Sequence, residues 1–149
     1  MARIGSLLFL VALSALLLAQ ENTAKNTQHG VLIITVNGFE NNNGQVRVYL
    51  FDDPKSFPSK KDKAVKIAKE PIHDQRAEII FDDIPYGTYA ISVHHDANGN
   101  DKLDHNWMYL PKEPYGASNG ARSSFSAPKF NKAKFELNAD TVRIAVTVK

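Results

Sequence analysis

Ala77-Glu78-Ile79-Ile80-Phe81-Asp82-Asp83-Ile84-Pro85-Tyr86-Gly87-Thr88-Tyr89-Ala90-Ile91-Ser92-Val93 decides the fold class. Ala77, Ile79 and Phe81 alternate with charged or solvent-tolerant neighbours, and after the turn-forming Asp82–Gly87 the set Tyr89, Ile91 and Val93 alternates again. A period of two is the side-chain repeat of a strand, so the stretch reads as a hairpin. Upstream, Val31–Val36 is apolar on both faces and suits a buried strand, whereas Val46, Val48 and Leu50 alternate with Arg47, Tyr49 and Phe51 as in a half-covered one. Asn41-Asn42-Asn43-Gly44 between them is a ready turn. Residues 65–72 read as a third strand, with a short helix carrying Ala64, Val65, Ile67 and Ala68 as the alternative. Phe135 and Leu137, followed across Asn138-Ala139-Asp140 by Val142, Ile144, Val146 and Val148, give a closing hairpin. Seven short strands between turn signals point to an all-β, immunoglobulin-like antiparallel sandwich.

The chain has 149 residues and no cysteine. Residues 1–19 join one early cation, Arg3, to the apolar run Ile4–Leu18 and small Ala19, the pattern of a signal peptide cut before Gln20. A retained signal anchor is the alternative, because Leu17 is not the small residue preferred three positions before a cut. Cleavage would leave no membrane span and a secreted or periplasmic protein. Lacking cysteine, that protein has no lipobox anchor and no disulfide staple. Gln20–Gln28 is polar and without periodicity, a flexible lead-in, and residues 29–149 form one sandwich domain. Removing residues 1–19 takes away Arg3 and no acid, so the 18 basic residues fall to 17 against 16 acidic ones. Such a balance gives no nucleic-acid footprint. The lysine-rich run Lys55–Lys69 reads as a solvated loop or sheet edge, where lysine discourages edge pairing.

The strand rhythm breaks over His95–Lys132. Loops of that length are uncommon in compact domains and tend to be functional or disordered. Trp107, Tyr109, Leu110, Tyr115, Phe125 and Phe130 supply apolar anchors, and Pro111, Pro114 and Pro128 restrict the backbone, so an ordered loop covering one end of the sandwich is expected.

Two groups of motifs carry a resemblance. Phe81-Asp82-Asp83-Ile84-Pro85-Tyr86-Gly87-Thr88-Tyr89 is similar to a hairpin of transthyretin-like and carboxypeptidase-regulatory-like sandwiches. His95-Asp96, Asn98-Gly99-Asn100, Lys102-Leu103-Asp104 and Asn106, then Pro111–Gly116, Ser118-Asn119, Arg122, Pro128 and Phe130, closely resemble the bacterial domain-of-unknown-function family 2141. The likeness runs from Gly30 to Lys149 and implies a secreted or periplasmic, prealbumin-like sandwich with no established activity. Tyr109 stands where that family has glycine, Ala117 where it has phenylalanine, Gly120 where it has asparagine, and Ser126-Ala127-Pro128 replaces Gly-Pro-Pro.

Within the long loop, Asp96, Asn98, Asn100 and Asp104 place oxygen side chains at relative positions one, three, five and nine, and Lys102 offers a backbone carbonyl at seven. Ca²⁺ takes six to eight such oxygens. Asp101 at position six and Trp107 at twelve exclude an EF-hand, and the spacing is closer to calcium loops of thrombospondin-type and adhesin repeats. With two or three carboxylates the expected Kd is about 10⁻⁴–10⁻³ M, unless Glu113 or Asp53 joins. The competing reading gives the same residues to Asx turns that cap backbone amides.

His94, His95 and His105 with Asp96 invite a transition-metal reading, but strand alternation sends His94 and His95 to opposite faces. Catalytic elbows and metalloprotease motifs are absent. The enzyme among transthyretin-like relatives, hydroxyisourate hydrolase, carries a C-terminal Tyr-Arg-Gly-Ser that Thr141–Lys149 lacks. A non-enzymatic role is therefore expected, with a small hydrolase using His95 and Asp96 as the alternative; Ser118 or Ser123 could supply its nucleophile. Trp107, Tyr109, Glu113, Tyr115 and Arg122 are the candidate surface for an envelope protein or glycan. Against that stands a plug role for at least two of the aromatics, and for Arg122 a clamp on Glu113 or Asp104.

Overall fold

The structure is a computed structural model that describes residues 28–123 and 126–149. The expected signal peptide, residues 20–27 of the lead-in and Phe125 lie outside the described residues. Among the described residues eight strands form: β1 (His29–Asn37), β2 (Gln45–Phe51), β3 (Lys66–Pro71), β4 (Arg76–Pro85), β5 (Gly87–Asp96), β6 (Tyr115–Ala117), β7 (Phe135–Leu137) and β8 (Thr141–Thr147). The seven expected from the pattern are all present, residues 66–71 as a strand and not a helix, and β6 inside the long loop adds the eighth. They build two sheets, ordered β4-β1-β8 and β3-β2-β5-β6, with β7 also pairing β5.

Connectivity departs from the sequence reading. Residues 77–93 are not a hairpin, because β4 pairs with β1 and β5 with β2. The chain changes sheets at Pro85-Tyr86-Gly87. Pro85 has no N–H for a ladder; the Tyr86 amide donates to the Gln28 carbonyl at 2.7 Å, and the Tyr89 hydroxyl donates to the Pro85 carbonyl at 2.8 Å. The closing hairpin is likewise absent. Strand β7 lies along the start of β5, whereas β8 runs parallel to β1 from Val31↔Thr141 to Asn37↔Thr147, so the sandwich is not wholly antiparallel.

The sheets meet over Leu32, Ile34 and Val36 of β1, Ile79 and Phe81 of β4, Val46, Val48 and Leu50 of β2, and Ile91 and Val93 of β5. Each such side chain, fully buried, contributes about 1.5–3 kcal/mol.

The outer face of the five-stranded sheet is covered too. Tyr49 and Phe51, expected on a half-covered strand, are buried with Phe57, Ala90, Ala117, Ala121, Phe130 and Ala133 in a second apolar cluster. The long loop therefore roofs a sheet face and does not plug one end. Its return is tied down at Ser118, whose buried hydroxyl accepts from the Ile91 amide at 2.9 Å and donates to the Ala133 carbonyl at 2.5 Å. Gly116 permits the close approach, since a Cβ there would collide with the Thr147 carbonyl. Phe57 meets Phe51 and Phe130 edge to face, with centroids 5.6 and 5.9 Å apart.

Candidate functional site

Strand β5 ends at Asp96, and the chain turns at once through Ala97–Asp104. Asp96 is wholly buried. Its Oδ1 accepts from the Asn100 amide at 3.0 Å, and its Oδ2 accepts from the Asp101 amide at 2.9 Å and from Gln45 Nε2 at 3.0 Å. Burial opposes ionisation, but these donors outweigh it and hold the carboxyl below the usual carboxylate range. Asn98 Oδ1 accepts from the Asn100 amide and Asn100 Oδ1 from the Lys102 amide, two Asx turns in succession. Both side-chain amides donate to Asp104, Asn98 at 2.7 Å and Asn100 at 3.0 Å, and these bonds lower the Asp104 pKa. Gly44 lies beneath with φ +70°, where a Cβ would strike the Asp96 carbonyl.

Asp96, Asn98, Asn100 and Asp104 are thus linked by hydrogen bonds within one turn. Their oxygens are also engaged by N–H groups, as the Asx-turn reading predicts. Asp96 Oδ2 already accepts two hydrogen bonds, whereas the two Asp104 oxygens accept one side-chain donor each and keep a second lone pair, so the two readings do not wholly exclude one another. Lys102 departs from the expected set, because its carbonyl faces the His94 ring. Glu113 is not a surface residue. It is buried, accepting from the Ala97 amide and from the Asp104 amide, both at 3.0 Å, and so straps the two ends of the turn together. Asp53 stays with Lys55 and Ser56. Among the described residues no group of three or more His, Cys, Asp or Glu side chains gathers as a metal centre.

Beyond the turn, Asn106 organises a tip. Its Oδ1 accepts from the amides of Met108 and Leu110 at 2.9 and 3.0 Å, its amide donates to the Leu110 carbonyl, and Lys112 closes the base onto the Asp104 carbonyl at 2.8 Å. Trp107 and Tyr109 on this tied-down tip are 86 % and 84 % exposed, with Met108 and Leu110 half exposed beside them. The plug role therefore fails for two of the three aromatics. Tyr109 also adopts φ +58°, a left-handed conformation in which a bulky side chain costs about 1–2 kcal/mol and glycine nothing. The resemblance places glycine at this position, and the chain holds tyrosine there against that strain.

Tyr115, half-buried, carries the Arg122 guanidinium over its ring at 5.2 Å. Arg122 is a clamp, though not on a carboxylate: its Nη2 donates to the carbonyls of Tyr115 and Lys149, each at 3.0 Å.

The hydrolase constellation does not assemble. His95 points into the sandwich, bonded to the Asn43 carbonyl at 2.6 Å and edge-on to Phe39. His94 lies on the outer face, as alternation required, stacked on Tyr49 at 5.8 Å. The Ser118 hydroxyl is consumed by backbone bonds, and Arg122 sits with the last residue of the domain.

Sequence reasoning missed a groove of about 450 Å³ between the outer sheet face and the loop, lined by Lys61, His94, Leu103, Leu110, Tyr115 and Pro128 among others. The signal was present in β2, where Tyr49 and Phe51 make the strand apolar on both sides and call for a roof. Lys61, read as part of a solvated lysine run, turns over the Tyr49 ring with its Nζ 4.8 Å from the centroid.

Among the described residues no helix is long and apolar enough to cross a membrane. No curated protein and no solved structure matches the chain. A family model described as an uncharacterized protein conserved in bacteria matches residues 34–145, most of the sequence. With the loop motifs and the two-sheet fold in agreement with that match, the chain belongs to the bacterial DUF2141 family.

Proposed function

We propose that this is a secreted or periplasmic, non-enzymatic binding domain whose loop tip docks onto an envelope protein. One observation carries the reading: four adjacent apolar side chains, Trp107 to Leu110, stay exposed on a tip that hydrogen bonds hold rigid. Trp, Tyr and Met are the residues enriched at protein interfaces, and the flanking Met108 and Leu110 favour a protein surface over a glycan. Placement outside the cytoplasm follows from reading residues 1–19 as a signal peptide. The prealbumin-like topology belongs to the same proposal, with β6 as an addition to the seven expected strands.

Ca²⁺ is the proposed ligand of the turn beneath the tip, held by Asp96, Asn98, Asn100 and Asp104. At about 10 mM Ca²⁺ and a Kd of about 10⁻⁴–10⁻³ M, mass action stabilises the fold by about 1–3 kcal/mol. The melting temperature of the wild type should rise by several degrees with Ca²⁺, and that of Asp104→Asn should not. Equal responses of the two remove the ion from the proposal.

The docking claim has its own test. Trp107 is the only tryptophan, so its emission reports the tip directly. An envelope-protein fraction should shift that emission and be retained by immobilised wild type. Tyr109→Gly should weaken retention at least about tenfold, as truncation of an interface anchor does, while leaving folding stability equal or up to about 1 kcal/mol higher through relief of the positive φ. Retention unchanged by Tyr109→Gly and Trp107→Ala sinks the reading. A response to purified cell-wall glycan alone transfers the tip to sugar recognition.

A further inference from the structure

The groove on the outer face of the five-stranded sheet holds one buried donor without a partner, His94 Nε2, and beside it an ammonium, Lys61, that has no carboxylate partner among the described residues. His94 is 2 % exposed, and its Nδ1 lies 3.4 Å from the Lys61 ammonium. An ammonium has only protons to give, so Nδ1 is the accepting edge and the neutral ring carries its hydrogen on Nε2. That Nε2 has no hydrogen-bond partner among the described residues. The Lys102 carbonyl faces the ring without completing a bond. Burial, reinforced by Lys61, lowers the His94 pKa to about 4 and keeps the ring neutral. Native proteins seldom leave a buried donor unpaired.

Lys61 is the second donor. It stands in the short helical turn Lys61–Lys63, half-buried, and burial followed by the nearby Arg47 charge lowers its pKa. Among the described residues no carboxylate lies within ion-pair distance of it. The carboxylate that does line the groove, Asp101, is committed to Arg47 and, at 3.9 Å, to Lys69. Lys102 adds a further positive charge to the lining. The floor is therefore cationic and rich in donors, while Leu103, Leu110, Tyr115 and Pro128 make the walls apolar.

We propose that this groove binds a small amphipathic carboxylic acid, its carboxylate between Lys61 and His94 Nε2 and its apolar body against Leu103, Leu110 and Pro128. A carboxylate is acceptor-only and matches the Lys61 and His94 donors with charge-assisted bonds. An inorganic anion leaves the walls uncovered, and a neutral lipid leaves both donors unpaired. The volume of about 450 Å³ falls within the range of small-molecule sites. Nε2 lies just beneath the floor, out of contact with water, so the proposed binding requires the Lys102 segment to shift as the acid enters. The inference rests on neither Ca²⁺ nor Trp107, although Leu110 belongs to both the tip and the groove wall.

Octanoate and indole-3-acetate, titrated by calorimetry into the purified protein, are the probes. At least one should bind saturably at one site per chain and shift the His94 Nε2–H resonance, while the corresponding neutral amide binds at least about tenfold more weakly. Lys61→Met and His94→Phe, the latter keeping ring volume against Tyr49, should each weaken the acid by about tenfold or more. Trp107→Ala and added Ca²⁺ should leave it unchanged, which separates this site from the tip. If His94→Phe does not fold, Lys61→Met and the wild-type resonance decide. No saturable binding of either acid up to about 10 mM, equal binding of acid and amide, or indifference to Lys61→Met overturns the proposal.

Discussion

The two sheets share one core yet turn unlike outer faces to their surroundings. The three-stranded sheet leaves Ile80 54 % exposed, with Val31, Ile33 and Thr35 half-buried and, among the described residues, no layer above them. On the five-stranded sheet Tyr49 and Phe51 are sealed by a returning loop, and the same loop builds the groove, the polar turn and the apolar tip. One sheet completes the sandwich, whereas the other supports a third layer in which the candidate chemistry resides.

Removing the roof's anchor should separate the faces most. Phe130→Ala deletes a buried ring packed on Phe57 and should cost about 4 kcal/mol in urea-induced unfolding. A loss below about 1 kcal/mol would mean that the roof is not part of the cooperative fold. Acid should act next, through His94. The folded protein refuses this proton until about pH 4, whereas the unfolded chain takes it near 6.5. In between, the unfolded state binds more protons, and stability falls by about 3 kcal/mol as pH drops from 6.5 to 4. His94→Gln should flatten that window. Below it, loss should persist, because the depressed Asp96 and Asp104 carboxyls stabilise the fold only while ionised. A wild-type profile already flat between pH 6.5 and 4 contradicts the buried, neutral imidazole. The smallest effect belongs to the open face, where Ile80→Ala should change stability by no more than about 0.5 kcal/mol. A larger loss would show that this face is covered after all.

Alternation in the sequence located most strands that face the core, because burial on one side imprints a period of two whatever the partner, while β1 was found as an unbroken apolar run. It does not encode the partner. Residues 77–81 and 89–93 alternate equally well as a hairpin or as neighbours split between sheets, and the choice falls to Pro85, Tyr86 and the distant Gln28 carbonyl. Strand β6 is three residues long and too short for a period to register. The turn that joins Asp96, Asn98, Asn100 and Asp104 was legible, since local spacing fixes local Asx bonds. The roles of Glu113 and Lys61 were not. Each is set by contacts across the fold, Glu113 to two loop amides and Lys61 to Tyr49 and His94. The exposure of Trp107 and Tyr109 ran against composition, which favours burying rings, and the Asn106 bonds that hold the tip outward overrode it.

Strand β1 occupies the middle of its sheet with β8 as one neighbour, a partner that begins only at Thr141. During synthesis, the row of N–H and C=O groups along Val31–Asn37 therefore stays bare on that side until nearly the whole domain has emerged, and pairings so remote in sequence form slowly. A nascent or truncated chain ending before Thr141 presents an apolar edge carrying Leu32, Ile34 and Val36, a template for aggregation.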